Sequence, residues 1–265
     1  MNEKRMSLKD LEPACGLPVK FDSETCELLL GERLNHPSYC VRKLHDLGSV
    51  WANPVTDEDR VIYRYTSGLH LPGDQQIWRD ANVIFGIVIF PPGTFNGEYV
   101  KSSGQFHPPA APTNQATPEV YTVLSGTGHF MLQKASYDRG YEDTSDPVLV
   151  EVQAGESFVV PPDYGHLQIN PSDEPLVFSY LVMDGMKGQY NPYKKMKGAA
   201  FYEMEDGFIR NPNYDPSLEL RIIKAGDICQ LPKLNENVTY QRVKEILPEL
   251  KFITDPTAFS ESMAL

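Results

Sequence analysis

The chain has 265 residues, 41% of them hydrophobic and 23% charged, the composition of a soluble globular protein with room for a sizeable core. Its 24 Lys and Arg against 36 Asp and Glu leave a net charge of −12, which argues against nucleic acid or an anionic membrane as a partner. An anionic substrate would need a local positive site made by a metal, Lys, Arg or backbone amides.

The first segment, Met1-Asn2-Glu3-Lys4-Arg5, leads into no apolar run, so no signal peptide is expected. Cys15, Cys26, Cys40 and Cys229 show no CxxC spacing, which argues against structural zinc and fits free thiols in a reducing, cytoplasmic compartment. Ser7–Glu12 predicts a short helix capped by Ser7, and apolar residues at Val41, Leu44 and Leu47 predict another. Asp57–Arg60 is a polar turn before the alternating strand Val61–Tyr65. Residues 1–60 are expected to form an N-terminal arm packed on a barrel.

From Ala81 the strand signal is dense. Val83–Phe90 reads as a strand buried on both faces and stopped by Pro91-Pro92-Gly93; it is half the length a membrane span needs. Tyr99–Phe106 is expected as a strand, and Pro118–Leu124 with Gly128–Lys134 as a hairpin around Ser125-Gly126-Thr127. Val148–Val152, Ser157–Val160, Leu167–Ile169 and Leu176–Met183 complete the set, with polar loops at Ala110–Thr117 and Ser136–Asp146. Short strands punctuated at this interval are the signature of a sandwich or barrel, about a dozen strands in all. Residues 61–213 are expected to be that barrel. In the remaining extension, 214–265, Leu218–Ile223 can add an edge strand and Val238–Phe252 has helical spacing with a break at Pro248. The last dozen residues read as a loose tail.

The densest chemistry lies between Ser102 and Asn170. Gln105 and His107 are two apart and share a face if extended, as do Glu119 and Tyr121, while His166 follows the turn Pro161-Pro162-Asp163. A lone His or Glu is usually structural or solvated. Two imidazoles and a carboxylate on strands broken by Gly and Pro turns point instead to a metal pocket, because burying them without a partner is costly.

The spacings Glu119 to Gly126 and Gly155 to Asn170 are similar to the two motifs of the cupin superfamily. More narrowly, the chain resembles cupin-type glucose-6-phosphate isomerases. The likeness runs through Arg42-Lys43-Leu44-His45-Asp46-Leu47, Phe85-Gly86-Ile87, Pro92-Gly93, Glu98-Tyr99, Pro118-Glu119-Val120-Tyr121, Gly126-Thr127-Gly128, Val160-Pro161-Pro162 and Asn211-Pro212. It covers roughly residues 20–213. The resemblance implies an all-β cupin jelly-roll barrel, a homodimer, and an aldose–ketose isomerase acting on a sugar phosphate. It also implies one divalent ion (Fe, Mn, Ni or Zn) held at Gln105, His107, Glu119 and His166. The phosphate contacts of the family fall on Ser102 and Gly104, with Ser103 between them. Three departures stand out: Gln105 replaces a family His, the gap from His107 to Glu119 is widened, and Gln189 stands near another family His.

Isomerisation by proton transfer needs a base near the proton that moves between C2 and C1, and an electrophile for the developing oxyanion, whereas a hydride shift held by the metal would need no base. Glu119 is the candidate base or ligand, and Tyr121 a candidate hydrogen-bond donor to substrate oxygens. Two other readings compete: an Fe(II) dioxygenase, since two His and one carboxylate form a facial triad, and a sugar-phosphate-binding cupin impaired by Gln105.

Overall fold

The computed structural model describes residues 7–53, 59–111, 113–228, 234 and 238–265. Met1–Arg5, part of the expected turn at Asp57–Arg60, and Cys229 lie outside the described residues. Along the chain run β1 (Leu8–Asp10), α1 (Glu12–Cys15), β2 (Val19–Asp22), β3 (Leu28–Leu30), β4 (Tyr39–Lys43), α2 (Leu44–Leu47), β5 (Val61–Ser67) and α3 (Gln75–Ala81). The central run is β6 (Val83–Phe90), β7 (Thr94–Phe95), β8 (Glu98–Tyr99), β9 (Glu119–Ser125), β10 (Thr127–Lys134), β11 (Ser145–Gln153), β12 (Ser157–Val160), β13 (Tyr164–Ile169) and β14 (Leu176–Met183). The remainder is α4 (Asn191–Lys195), β15 (Phe201–Met204), β16 (Gly207–Arg210), β17 (Arg221–Lys224) and α5 (Tyr240–Ile246). The protein is all-β in class, with seventeen strands among the described residues rather than about a dozen.

Two facing sheets make a jelly-roll barrel. One has the order β12-β9-β14-β6-β5-β4, the other β13-β10-β11-β17. The expected hairpin of β9 and β10 does not form: both edges of β9 are taken, by β12 and β14, so Gly126 turns the chain from one sheet into the other. Gly126 has φ 82°, and a Cβ there would meet the Pro175 carbonyl oxygen at 2.7 Å, so the corner requires glycine. Between the sheets pack Val123, Phe130, Val150, Phe158 and Phe178. β6 is buried on both faces as its composition predicts. Val88 and Phe90 enter that interior, while Phe85, Ile87 and Ile89 join a second core. The second core lies under the small sheet β1-β2-β3 and α5, and full burial of each such side chain stabilises by about 1.5–3 kcal/mol.

Several local expectations are corrected. Leu8–Asp10 pairs antiparallel with Lys20–Asp22 as a strand, and helix begins only at Glu12; cross-strand pairing overrides the Ser7 cap signal. Val41–Leu47 divides into β4 and the four-residue α2, because Cys40 to Arg42 pair with Tyr63 to Tyr65. β4 therefore extends the barrel sheet from within residues 1–60. Tyr99–Phe106 is a strand only at its start, then touches neighbours through single bridges at Lys101, Gln105 and Phe106, because Gly104 has φ 77° and interrupts the pleat. The last dozen residues form short 3-10 turns with Pro256 and Met263 buried and Phe259 edge-on to Phe252, so the end of the chain is packed, not loose. Pro248 does end α5, and β17 does add an edge strand, parallel to β11. No helix among the described residues is long and apolar enough to cross a membrane.

Candidate metal centre

His107, Glu119 and His166 converge. Glu119 opens β9, and His166 lies in the middle of β13 on the facing sheet. His107 lies on the irregular segment that bridges to β13 through Gln105 and His166. His107 Nε2 and His166 Nε2 each lie 3.1 Å from Glu119 Oε2, and all three residues are buried. The backbone fixes the ring orientations: His107 Nδ1 donates to the Thr117 carbonyl oxygen at 2.7 Å, and His166 Nδ1 to that of Tyr164 at 3.4 Å. With Nδ1 carrying the hydrogen, both Nε2 atoms point lone pairs at a carboxylate oxygen.

That arrangement calls for a cation. His107 Nε2 and Glu119 Oε2 are buried with no hydrogen-bond partner, although they are in contact, because acceptor faces acceptor. Burial works against the Glu119 charge, and a positive partner at this point, a protonated imidazole or a bound cation, is what keeps it ionised; with the two imidazoles in that role the carboxyl is held down to about 2. Burial pushes the His166 imidazole down, and Glu119 offsets this only in part. A carboxylate and two neutral imidazoles around one point form a donor set suited to a divalent ion, and a metal can be held there.

Gln105 reaches the same place but presents its amide nitrogen, 3.3 Å from His166 Nε2. Ligation through its oxygen requires the amide to turn over. Tyr121 is buried above the carboxylate; its hydroxyl accepts from Gln168 Nε2 at 2.8 Å, and burial followed by the Glu119 charge raises its pKa well above the phenol value. Ser102, Ser103, Gly104, Gln105, Glu119 and Tyr121 all line one cavity of about 220 Å³. Gly104 is pinned there: a Cβ would meet the Tyr193 ring at 2.8 Å. Gln189 pairs its backbone with Phe106 and turns its side chain to the Lys187 carbonyl, away from the ligands.

Sequence reasoning missed Arg42, Tyr63, Tyr65, Tyr180 and Tyr190, which line the same cavity. Arg42 was visible only as part of a motif, and the tyrosines as ordinary strand residues. Lys101 and Arg64 supply no charge here: Lys101 is buried against Glu98 at 2.5 Å and the Val50 carbonyl, and Arg64 donates to the Cys26 carbonyl. His129 pairs with Glu203 at 2.7 Å.

A model of the family described as Glucose-6-phosphate isomerase (GPI) matches residues 41–219, more than half of the chain. The chain belongs to the glucose-6-phosphate isomerase family. Among its relatives, the glucose-6-phosphate isomerase of Thermococcus onnurineus is 25% identical over 213 residues, 77% of this chain and 99% of that protein. That of Pyrococcus furiosus is 27% identical over 166 residues, 60% of this chain and 75% of its own. Among solved structures, a recombinant oxalate oxidase in complex with glycolate has a TM-score of 0.32 at 21% identity, covering 49% of this chain and 52% of its own. The family match includes His107, Glu119 and His166 and ends close to the start of the C-terminal extension.

Proposed function

We propose that this chain is a metal-dependent glucose-6-phosphate isomerase, interconverting glucose 6-phosphate and fructose 6-phosphate through an enediol(ate). The observation that carries the reading is the convergence of His107 Nε2, His166 Nε2 and Glu119 Oε2 beside a cavity, in a chain of this family. A divalent ion (Fe, Mn, Ni or Zn) held by these residues would supply Lewis acidity toward the oxygens at C1 and C2. Gln105 is proposed as a fourth, weaker ligand, available once its amide turns.

The remaining chemistry belongs to the chain. Glu119 is the one carboxylate among the residues lining the cavity, so it is the group that can take the C2 proton and return it to C1. Tyr121 holds its hydroxyl, steadied by Gln168, toward the substrate oxygens. Ser102, Ser103 and the Gly104 backbone hold the phosphate end. The buried walls formed by Phe90 and Phe178 keep water from the reacting carbons.

The test is an assay of both sugar phosphates on protein stripped of metal and reloaded with Fe(II), Mn, Ni or Zn. Interconversion restored by at least one ion, and lost in Glu119→Gln, is expected. No turnover with any of the four would overturn the reading, and oxygen consumption would assign the site to a dioxygenase.

A further inference from the structure

We propose that Arg42 anchors the phosphate end of the substrate and sets the preference for phosphorylated over neutral sugars. The identity of the substrate rests on the isomerase reading above; the role of the residue rests on its own geometry. Arg42 sits in β4 opposite Tyr63 of β5, and its side chain lines the main cavity. It also lines a smaller cavity of about 130 Å³ alongside, and Ser103, Tyr63 and Tyr190 are common to both. Lys194 of α4 and Asp46 of α2 help to close the smaller one.

Among the described residues the guanidinium has no counter-charge. Its Nη2 lies 3.4 Å from the Tyr65 hydroxyl and its Cζ 5.8 Å from that ring's centroid, and no carboxylate pairs with it among the described residues. Arg33, Arg221 and Arg242, by contrast, each pair with a carboxylate. The acid of the smaller cavity is already engaged: Asp46 accepts from the Lys43 amide at 2.8 Å and faces His45 Nε2 at 3.2 Å. A part-buried Arg in a chain of net charge −12, left to phenols alone, is poised for an anion from outside.

Phosphate fits that vacancy of charge. The planar fork of Arg42 matches two phosphate oxygens at once, and Ser103 adds a neutral donor. Lys194, exposed and without a carboxylate partner among the described residues, adds a weaker steering charge. A dianion at the junction of the two cavities, with Ser102 and Gly104 on its main-cavity side and Arg42 and Ser103 lining both, is turned toward the smaller one, which Glu119 does not line. Ser103, shared by both, marks where the sugar passes from one to the other.

The experiment is calorimetric titration of metal-free protein with inorganic phosphate, glucose 6-phosphate and glucose. It compares the natural chain with Arg42→Gln, Arg42→Lys and Lys194→Gln, each checked for native circular dichroism. Arg42→Gln is expected to weaken both phosphate-bearing ligands by about 10- to 100-fold, the loss typical of a charge-assisted pair, and to leave glucose unchanged. Arg42→Lys should fall between, and Lys194→Gln should lose only about 2- to 3-fold, and less still in high salt. Phosphate and glucose 6-phosphate binding unaltered in Arg42→Gln overturns the proposal, as does an equal loss for glucose. Arg42-dependent phosphate binding without interconversion under any metal leaves the anchor standing and removes the isomerase reading. Interconversion in the natural chain with Arg42→Gln indifferent to phosphate removes the anchor alone.

Discussion

The Thr117 carbonyl oxygen lies 2.7 Å from His107 Nδ1, and this contact decides what the other side of the ring can do. It holds the hydrogen on Nδ1 and leaves Nε2 as a lone pair aimed at Glu119. His107→Ala or His166→Ala removes one nitrogen donor, and each is expected to lower divalent-metal affinity by about 100-fold or more, beyond the loss seen when only supporting groups change. Equilibrium dialysis against Mn or Ni measures this directly. Retention of the metal in either variant would place the ion elsewhere. A chelator should also lower the melting temperature, and the matching ion should restore it.

Gln105 should limit how well the site keeps its ion. Its amide oxygen is a weaker donor than an imidazole, and it now faces away from His166 Nε2. Protein purified without added metal is expected to be partly loaded, and Gln105→His to bind about ten-fold tighter or more. Full occupancy in the natural chain, unchanged in the variant, would contradict this.

Tyr240 ties the C-terminal extension to the barrel. Its hydroxyl accepts from Trp78 Nε1 at 2.8 Å and from the Leu71 amide at 3.2 Å, and donates to Asp74 at 3.0 Å. Tyr240→Phe keeps the ring contacts but leaves the buried indole N–H unpaired, which costs about 1–3 kcal/mol. Urea unfolding should show that loss in one transition shared by both parts. A separate, earlier transition for the extension would mean that it folds on its own.

Alkali should unfold the protein through its tyrosines. Burial raises Tyr63 and Tyr193, and pushes Tyr214 and Tyr240 up to about 12. The folded state therefore keeps protons that the unfolded chain releases above about pH 10. Stability is whole below that pH and declines as pH rises toward the folded values. Lys101 works the other way, since burial lowers its pKa and favours its neutral form, but it is one group against several. The urea midpoint should fall between about pH 10 and pH 12, with the buried tyrosines' share of the tyrosinate absorbance appearing only as the chain unfolds. Early, full ionisation in the native state would refute this.

The grouping of His107, Glu119 and His166 was legible because metal chemistry restricts residue type and the turns around them restrict spacing. Glu119 and His166 come from different sheets, yet Gly126 and Pro161-Pro162 mark in the sequence where each strand begins and ends. Arg42 was not legible as a cavity residue, because its place depends on β4 pairing with Tyr63, a contact across a long loop. The segment from Leu8 failed for the same kind of reason: its partner, Lys20–Asp22, overrides a local cap signal. The closed C-terminus was missed because burial of Met263 is a tertiary fact with no periodic trace.

The parallel pairing of β17 with β11 has a consequence for biosynthesis. Arg221 clasps Asp146 across 75 residues of chain, so the outer edge of β11 has no partner until the extension leaves the ribosome. At about 5–20 residues per second, that edge stays open for several seconds in every nascent molecule. Messages truncated before residue 221 should therefore yield chains that carry every proposed ligand yet collect in inclusion bodies.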